Sequence, residues 1–142
     1  MNDHETHGIE YFYQNSDIIA IVIRSIANSS KLNFFTPEHF PLQVGLMTRK
    51  KDEIIEPHVH NKITREIADT FEVLVIREGN CKIKLFGENN NLLYTVSIST
   101  GDTILLGSCG HSLEMLSECK MLEVKQGPYL GAMDKKHFND SR

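Results

Sequence analysis

No apolar run in these 142 residues approaches the eighteen or so that a membrane-spanning helix needs, so the sequence offers no candidate span. The first residues, MNDHETHG, lack the basic-then-apolar order of a secretory signal. Positive charge is not in excess. Fifteen Lys and Arg against nineteen Asp and Glu leave a formal charge of −4, which argues against nucleic acid or an anionic membrane as a partner. Cysteine is sparse: Cys81, Cys109 and Cys119 are an odd count in no zinc-like spacing. That argues for reduced thiols in the cytoplasm over a disulfide framework. There is no internal repeat, low-complexity tract or linker. No helical stripe stands out beyond a short turn at TPEHF, residues 36–40.

What remains is a chain of ordinary apolar content (40%) that reads as one domain over residues 1–142, able to bury roughly two-thirds of its unfolded surface. Short β-rich segments dominate it: DIIAIVIRSIA (17–27), PLQVGLMTRK (41–50), FEVLVIRE (71–78), CKIKLFG (81–87), LLYTVSIS (92–99), TILLGS (103–108), SLEMLS (112–117) and KMLEVKQ (120–126). Breakers such as EGN, GENNN, STGD and QGPY separate them. Short strands with tight turns predict an all-β sandwich or barrel. The core is expected over about 40–130, with 1–8 and 138–142 as flexible tails. DIIAIVIRSIA is apolar on both faces, which predicts burial on both and a symmetric homodimer along this strand.

The stretch EPHVHNKITREIADTFEVLVIREG, residues 56–79, carries the chemistry. On a strand His58 and His60 point the same way with Cα atoms about 6.5 Å apart, so both imidazoles can reach one ion. Glu72 opens the next strand with the parity of Leu74 and Ile76, placing a carboxylate toward an apolar interior where it needs a positive partner. His111, after the turn GSCG, offers a third imidazole. Three histidines and one carboxylate suit a six-coordinate divalent transition metal (Fe, Zn, Mn or Ni) with positions open to substrate. Glu66 is a rival carboxylate. His4, His7, His39 and His137 lie in tail or loop surroundings and read as solvated.

These motifs resemble those of the cupins: His-X-His, then a glutamate (Glu72) seven places before a glycine (Gly79), then Gly101-Asp102 and a histidine, His111. The resemblance covers most of the chain past residue 40. It implies a double-stranded β-helix, or jelly-roll barrel, here with extra N-terminal strands, and a metal at His58, His60, Glu72 and His111. The chain departs from the pattern at NKITREIADTF (61–71), an insertion that reads as a loop at the barrel mouth. It also lacks the usual proline before His111 and has Met115 where asparagine is often found. More closely it resembles small bacterial cupins found among genes for polysaccharide or nucleotide-sugar synthesis, which implies a sugar-related ligand.

Around that site several side chains have two readings. Glu123 and Lys125 share a strand face, as an inward polar wall and candidate acid–base pair or as a surface ion pair. Arg65 closes over an anionic ligand or is solvated, while Gln43, Met47 and Gln126 have the parity to line the cavity or its rim. Cys109 shares the face of His111 or is a small buried thiol. Cys81 alternates with Ile83 and Leu85 as core, leaving Lys82 and Lys84 toward solvent. Two functional classes follow. In one the chain is a metal-dependent enzyme, an oxygenase or isomerase, acting on a small anionic sugar or keto acid. In the other it is a non-catalytic module that binds such a molecule. A purely structural metal is disfavoured because the donors include no thiolate.

Overall fold

A computed structural model describes residues 7–140, so His4 and the outermost tail positions lie outside the described residues. The strands are β1 (Ile9–Gln14), β2 (Asp17–Ile23), β3 (Asn33–Phe34), β4 (Gly45–Leu46), β5 (Glu72–Glu78), β6 (Asn80–Phe86), β7 (Leu92–Ser99), β8 (Thr103–Leu106), β9 (Gly110–Met115) and β10 (Lys120–Lys125). A 3-10 turn at Gly131–Met133 is the one helical element among the described residues. No helix there is long and apolar enough to cross a membrane. The protein is all-β, and every strand pair is antiparallel.

Five strands form one sheet in the order β1-β2-β8-β5-β10, and three form a second in the order β7-β6-β9. Neither sheet closes into a barrel. Side-chain alternation explains how they meet. Leu74 and Ile76 on β5, Ile104 and Leu106 on β8, and Ala20 and Val22 on β2 pack against Cys81, Ile83 and Leu85 on β6 and Val96 and Ile98 on β7. Each large apolar side chain buried there contributes about 1.5–3 kcal/mol. The opposite parity on β6 places Lys82 and Lys84 outside, where they pair with Glu114 and Asp140.

The large sheet is apolar on its outer face too. Ile21, Ile23, Val73 and Leu105 are covered by Phe35, Phe71, Phe40, Leu42 and Val44. The chain between β2 and β4 therefore supplies the cover that the sequence assigned to a second subunit, and the argument for a dimer along β2 loses its premise. In addition, β2 lies inside its sheet, between β1 and β8. A bulge shifts its parity: Phe12 pairs with Ala20 and Tyr13 with Ile18, so Ile19 is skipped and joins Ala20 and Val22 in the inner core.

Further corrections concern boundaries. The strand β1, IEYFYQ, lies outside the segments singled out from sequence, and so does the short β3. With β2 it extends the sheet beyond β8, and the core begins at Ile19 rather than near residue 40. PLQVGLMTRK contributes only Gly45–Leu46 to a strand. The HVH motif is not on a strand: residues 53–70 form no regular structure and are exposed throughout. Of the expected C-terminal tail 138–142, Phe138 is docked, its ring edge-on to Phe86 at 5.2 Å, and 141–142 lie outside the described residues.

Two motif residues prove to be structural. Gly79 makes the β5–β6 turn at φ +91°, where a Cβ would run into the Glu118 carbonyl, so only glycine fits without strain. Asp102 is buried and accepts hydrogen bonds from the Ser25 and Ser99 backbone N–H groups (2.9 and 3.0 Å) and from Arg24 Nη1 (3.1 Å). Arg24 also grips Glu10 through Nε at 2.6 Å and Nη2 at 2.9 Å. The carboxylate thus ties the β7–β8 turn to the chain leaving β2.

Candidate functional site

Between the ends of the two sheets lies a cavity of about 540 Å³. Its walls include Glu72 from β5, Leu106 from β8, His111 and Leu113 from β9, and the C-terminal residues Asp134 to Phe138. Strand parity places Glu72 here, since its neighbours on the same face, Leu74 and Ile76, are core. His111 pairs with Leu85 across β6–β9, so it faces inward from the opposite sheet.

The two side chains meet. His111 Nε2 lies 3.2 Å from Glu72 Oε2, with both side chains mostly buried. This hydrogen bond is the main reason Glu72 is held below the usual carboxylate range, and the charges of His111, Lys125 and Lys135 add to it against the cost of burial. With Nε2 engaged by Glu72, Nδ1 is the ring nitrogen left over. That nitrogen is buried and has no partner among the described residues.

Lys125 stands beside this pair because β10 lies next to β5, with Lys125 opposite Glu72. Its ammonium is 2.6 Å from Asp134, 3.7 Å from Glu123 and 3.8 Å from Glu72. The hydrogen bond to Asp134, followed by the other two carboxylates, raises its pKa and keeps it a cation. Lys125 is mostly buried beside Glu72, although it does not itself line the cavity. Glu123 is half exposed and does not line the cavity. Gln126 accepts the Phe71 N–H at 2.8 Å through Oε1, while its buried Nε2 has no partner among the described residues.

The other expected donors stand apart. His58 and His60 are neighbours, their ring centroids 5.3 Å apart, but both sit on the exposed 53–70 segment. Among the described residues no group of three or more His, Cys, Asp or Glu side chains is close enough to hold an ion. The expected metal set is thus present as two pairs, Glu72 with His111 and His58 with His60, and the fold joins only the first to the cavity. Glu66 lies on the same exposed segment as His58 and His60.

None of the five ligand-binding candidates lines the cavity: Lys125 and Gln126 stand next to Glu72 and Phe71, and Gln43, Met47 and Arg65 lie elsewhere. Gln43 spends its amide on its own loop, with Nε2 donating to the Pro37 and Phe40 carbonyls and Oε1 accepting from Thr36. Met47 is exposed beyond β4. Among the described residues the Arg65 guanidinium reaches only the Ile63 carbonyl, at 3.4 Å.

Cys109 lines the cavity, but burial pushes its thiol up to about 12, and Sγ–H points to the Ile19 carbonyl at 3.4 Å. It is a partly buried thiol on the cavity wall. Asp134, Lys135, Lys136 and His137 were not anticipated as wall residues. Their run DKKH carries no hydrophobic period, and only the docking of Phe138 on Phe86 shows where it goes. Comparison with protein-family models, curated proteins and solved structures found no match to this chain.

Proposed function

We propose that the chain is a metal-binding jelly roll of the cupin kind that takes a small, oxygen-rich, anionic molecule into the cavity beside Glu72 and His111, and acts on it as an isomerase or oxygenase. The observation that carries this reading is the buried Glu72–His111 pair. Two potential donors from opposite sheets meet at a cavity wall, and one imidazole nitrogen there is left without a partner among the described residues. A carboxylate and imidazoles suit a borderline divalent ion such as Zn, Fe, Mn or Ni. His58, His60, Glu72 and His111 would hold it, and when bound it would supply Lewis-acid chemistry or, as iron, dioxygen chemistry.

The chain's own residues do the rest. Lys125 holds its proton beside Asp134 and orients an oxyanion entering next to Glu72. Lys135 and Lys136, on the cavity wall, add positive charge. The docked C-terminal segment narrows the cavity and keeps water away from the Glu72–His111 pair.

A second reading is a binding module without turnover. It is favoured by the state of the carboxylates: His111 and Lys125 lower the pKa of Glu72, which makes it a weak base, and Asp134 is already paired with Lys125. Elemental analysis of anaerobically purified protein tests the metal. The expected result is one ion per chain, sharply lowered by His58→Ala, His60→Ala, Glu72→Ala or His111→Ala and untouched by Glu66→Ala. Protein that carries no ion, or loses it on Glu66→Ala but not on Glu72→Ala, overturns the assignment. A thermal-shift screen of sugar phosphates and keto acids tests the ligand. Lys125→Ala should reduce the response several-fold with metal content unchanged.

A further inference from the structure

The segment between β4 and β5 stands off its own body. From residue 47 to residue 70 every side chain is exposed. Among the described residues, no backbone N–H or C=O from Ile54 to Thr70 has a backbone partner. Yet this arm carries Ile54, Ile55, Val59, Ile63 and Ile67, with Val59 90% exposed and Ile54 80%. Polar linkers do not look like this. The arm returns to the body at Phe71, which is buried and whose N–H is held by Gln126.

The body has a matching deficit. The small sheet ends at β9 and the large one at β10, and each of these strands pairs on one side only. The short turn at 116–119 joins them, so both open edges lie along the same flank of the sandwich. That flank exposes Met115, Leu116, Leu122 and Val124. Open edges with apolar side chains are templates for an added strand. The β9 edge also carries His111, one of the four expected metal donors.

We propose that the arm of one copy adds as a strand to the open β9 edge of a second copy, bringing its His58 and His60 to that copy's Glu72 and His111, so that each site is built from two chains. Strand parity supports the fit. Glu56, His58 and His60 share one side-chain face, which turns to the site, while Ile55, Val59 and Ile63 share the other, which is buried where the copies meet. Pro57 has the parity of the outer edge, where its missing N–H costs no ladder bond. Extended at about 3.3 Å per residue, 54–70 spans on the order of 50 Å, enough to cross to a neighbour. Exchange of identical segments between copies is a low-cost route to a symmetric dimer.

The donor part of this proposal rests on the metal reading above, and the test separates the two. A His58→Ala/His60→Ala chain and a Glu72→Gln/His111→Ala chain are co-expressed with different tags, purified as the mixed pair through both tags, and loaded with Co²⁺. Each variant alone should hold only background metal. The mixed pair should hold about one ion per two chains, half the wild-type content, because one of its two sites has all four donors. Background metal in the mixed pair, beside one ion per chain in wild type, means that each arm folds onto its own chain and overturns the exchange. So does failure of the second tag to co-purify. If wild type itself binds no Co²⁺, the metal reading falls, and light scattering then decides the arm. Wild type should be a dimer at about 50 µM and Val59→Asp a monomer, since Val59 is 90% exposed in the isolated chain. A monomeric wild type, or a Val59→Asp variant that stays dimeric, overturns the proposal.

Discussion

Glu72→Gln in metal-free, chelator-containing buffer isolates the electrostatics of the Glu72–His111 pair. The amide keeps the shape of the carboxylate and can still accept from His111 Nε2, so what is lost is the negative charge facing His111 and Lys125. A buried hydrogen bond to a charged group contributes about 1.5–3 kcal/mol. Here the His111 contact is long at 3.2 Å and Lys125 is farther still at 3.8 Å, with its closest bond made to Asp134 instead. The loss at pH 7 should therefore sit at the low end, about 1–2 kcal/mol. The pH dependence gives a sharper test. Because the folded-state pKa of Glu72 is lowered, its contribution is fully present above the ordinary carboxylate value and disappears as pH falls through the depressed one. Urea denaturation of both proteins should show wild type ahead at pH 7, with the gap closing below about pH 4. A gap that is constant from pH 7 to pH 3, or a variant more stable than wild type at pH 7, would refute the claim that this pair holds Glu72 ionised.

The C-terminal segment gives a second check. A Cβ at Gly110 would lie 2.8 Å from the Phe138 ring, so Gly110→Ala should loosen residues 134–140, as should Phe138→Ala. Limited proteolysis should cut both variants there faster than wild type before the core unfolds, and equal cutting rates would show that the segment is not held by this contact. Cys109, with its thiol pushed up to about 12 by burial, should resist a thiol-specific disulfide reagent at pH 8 until urea unfolds the chain. Fast labelling of Cys109 in folded protein, mapped by mass spectrometry, would contradict its burial beside Ile19.

Much of the architecture was legible because it rests on local alternation. Cys81, Ile83 and Leu85 read as inward and are core. Glu72 shares its face with Leu74 and Ile76, as strand parity requires. Where alternation is interrupted the reading slips. One bulge at Ile19 changes the faces of β2, and PLQVGLMTRK supplies only a two-residue strand because its apolar side chains Leu42 and Val44 cover a neighbouring sheet.

By itself, the sequence determined that the protein is all-β, where most of its strands fall, which side chains of β5 and β6 turn inward, and that Glu72 and His111 are polar groups set among apolar ones. A period of two is a property of each strand alone, so it can be read without knowing what the strand meets. Only the tertiary structure decided that Glu72 and His111 touch, that Lys125 stands over them by pairing across β5–β10, and that the run Asp134 to Phe138 walls the cavity. It also set His58 and His60 on an exposed arm, where the spacing alone had suggested a strand. These outcomes depend on which distant segments compete for the same edge and the same apolar cover, and that competition is settled by packing between strands far apart in the chain.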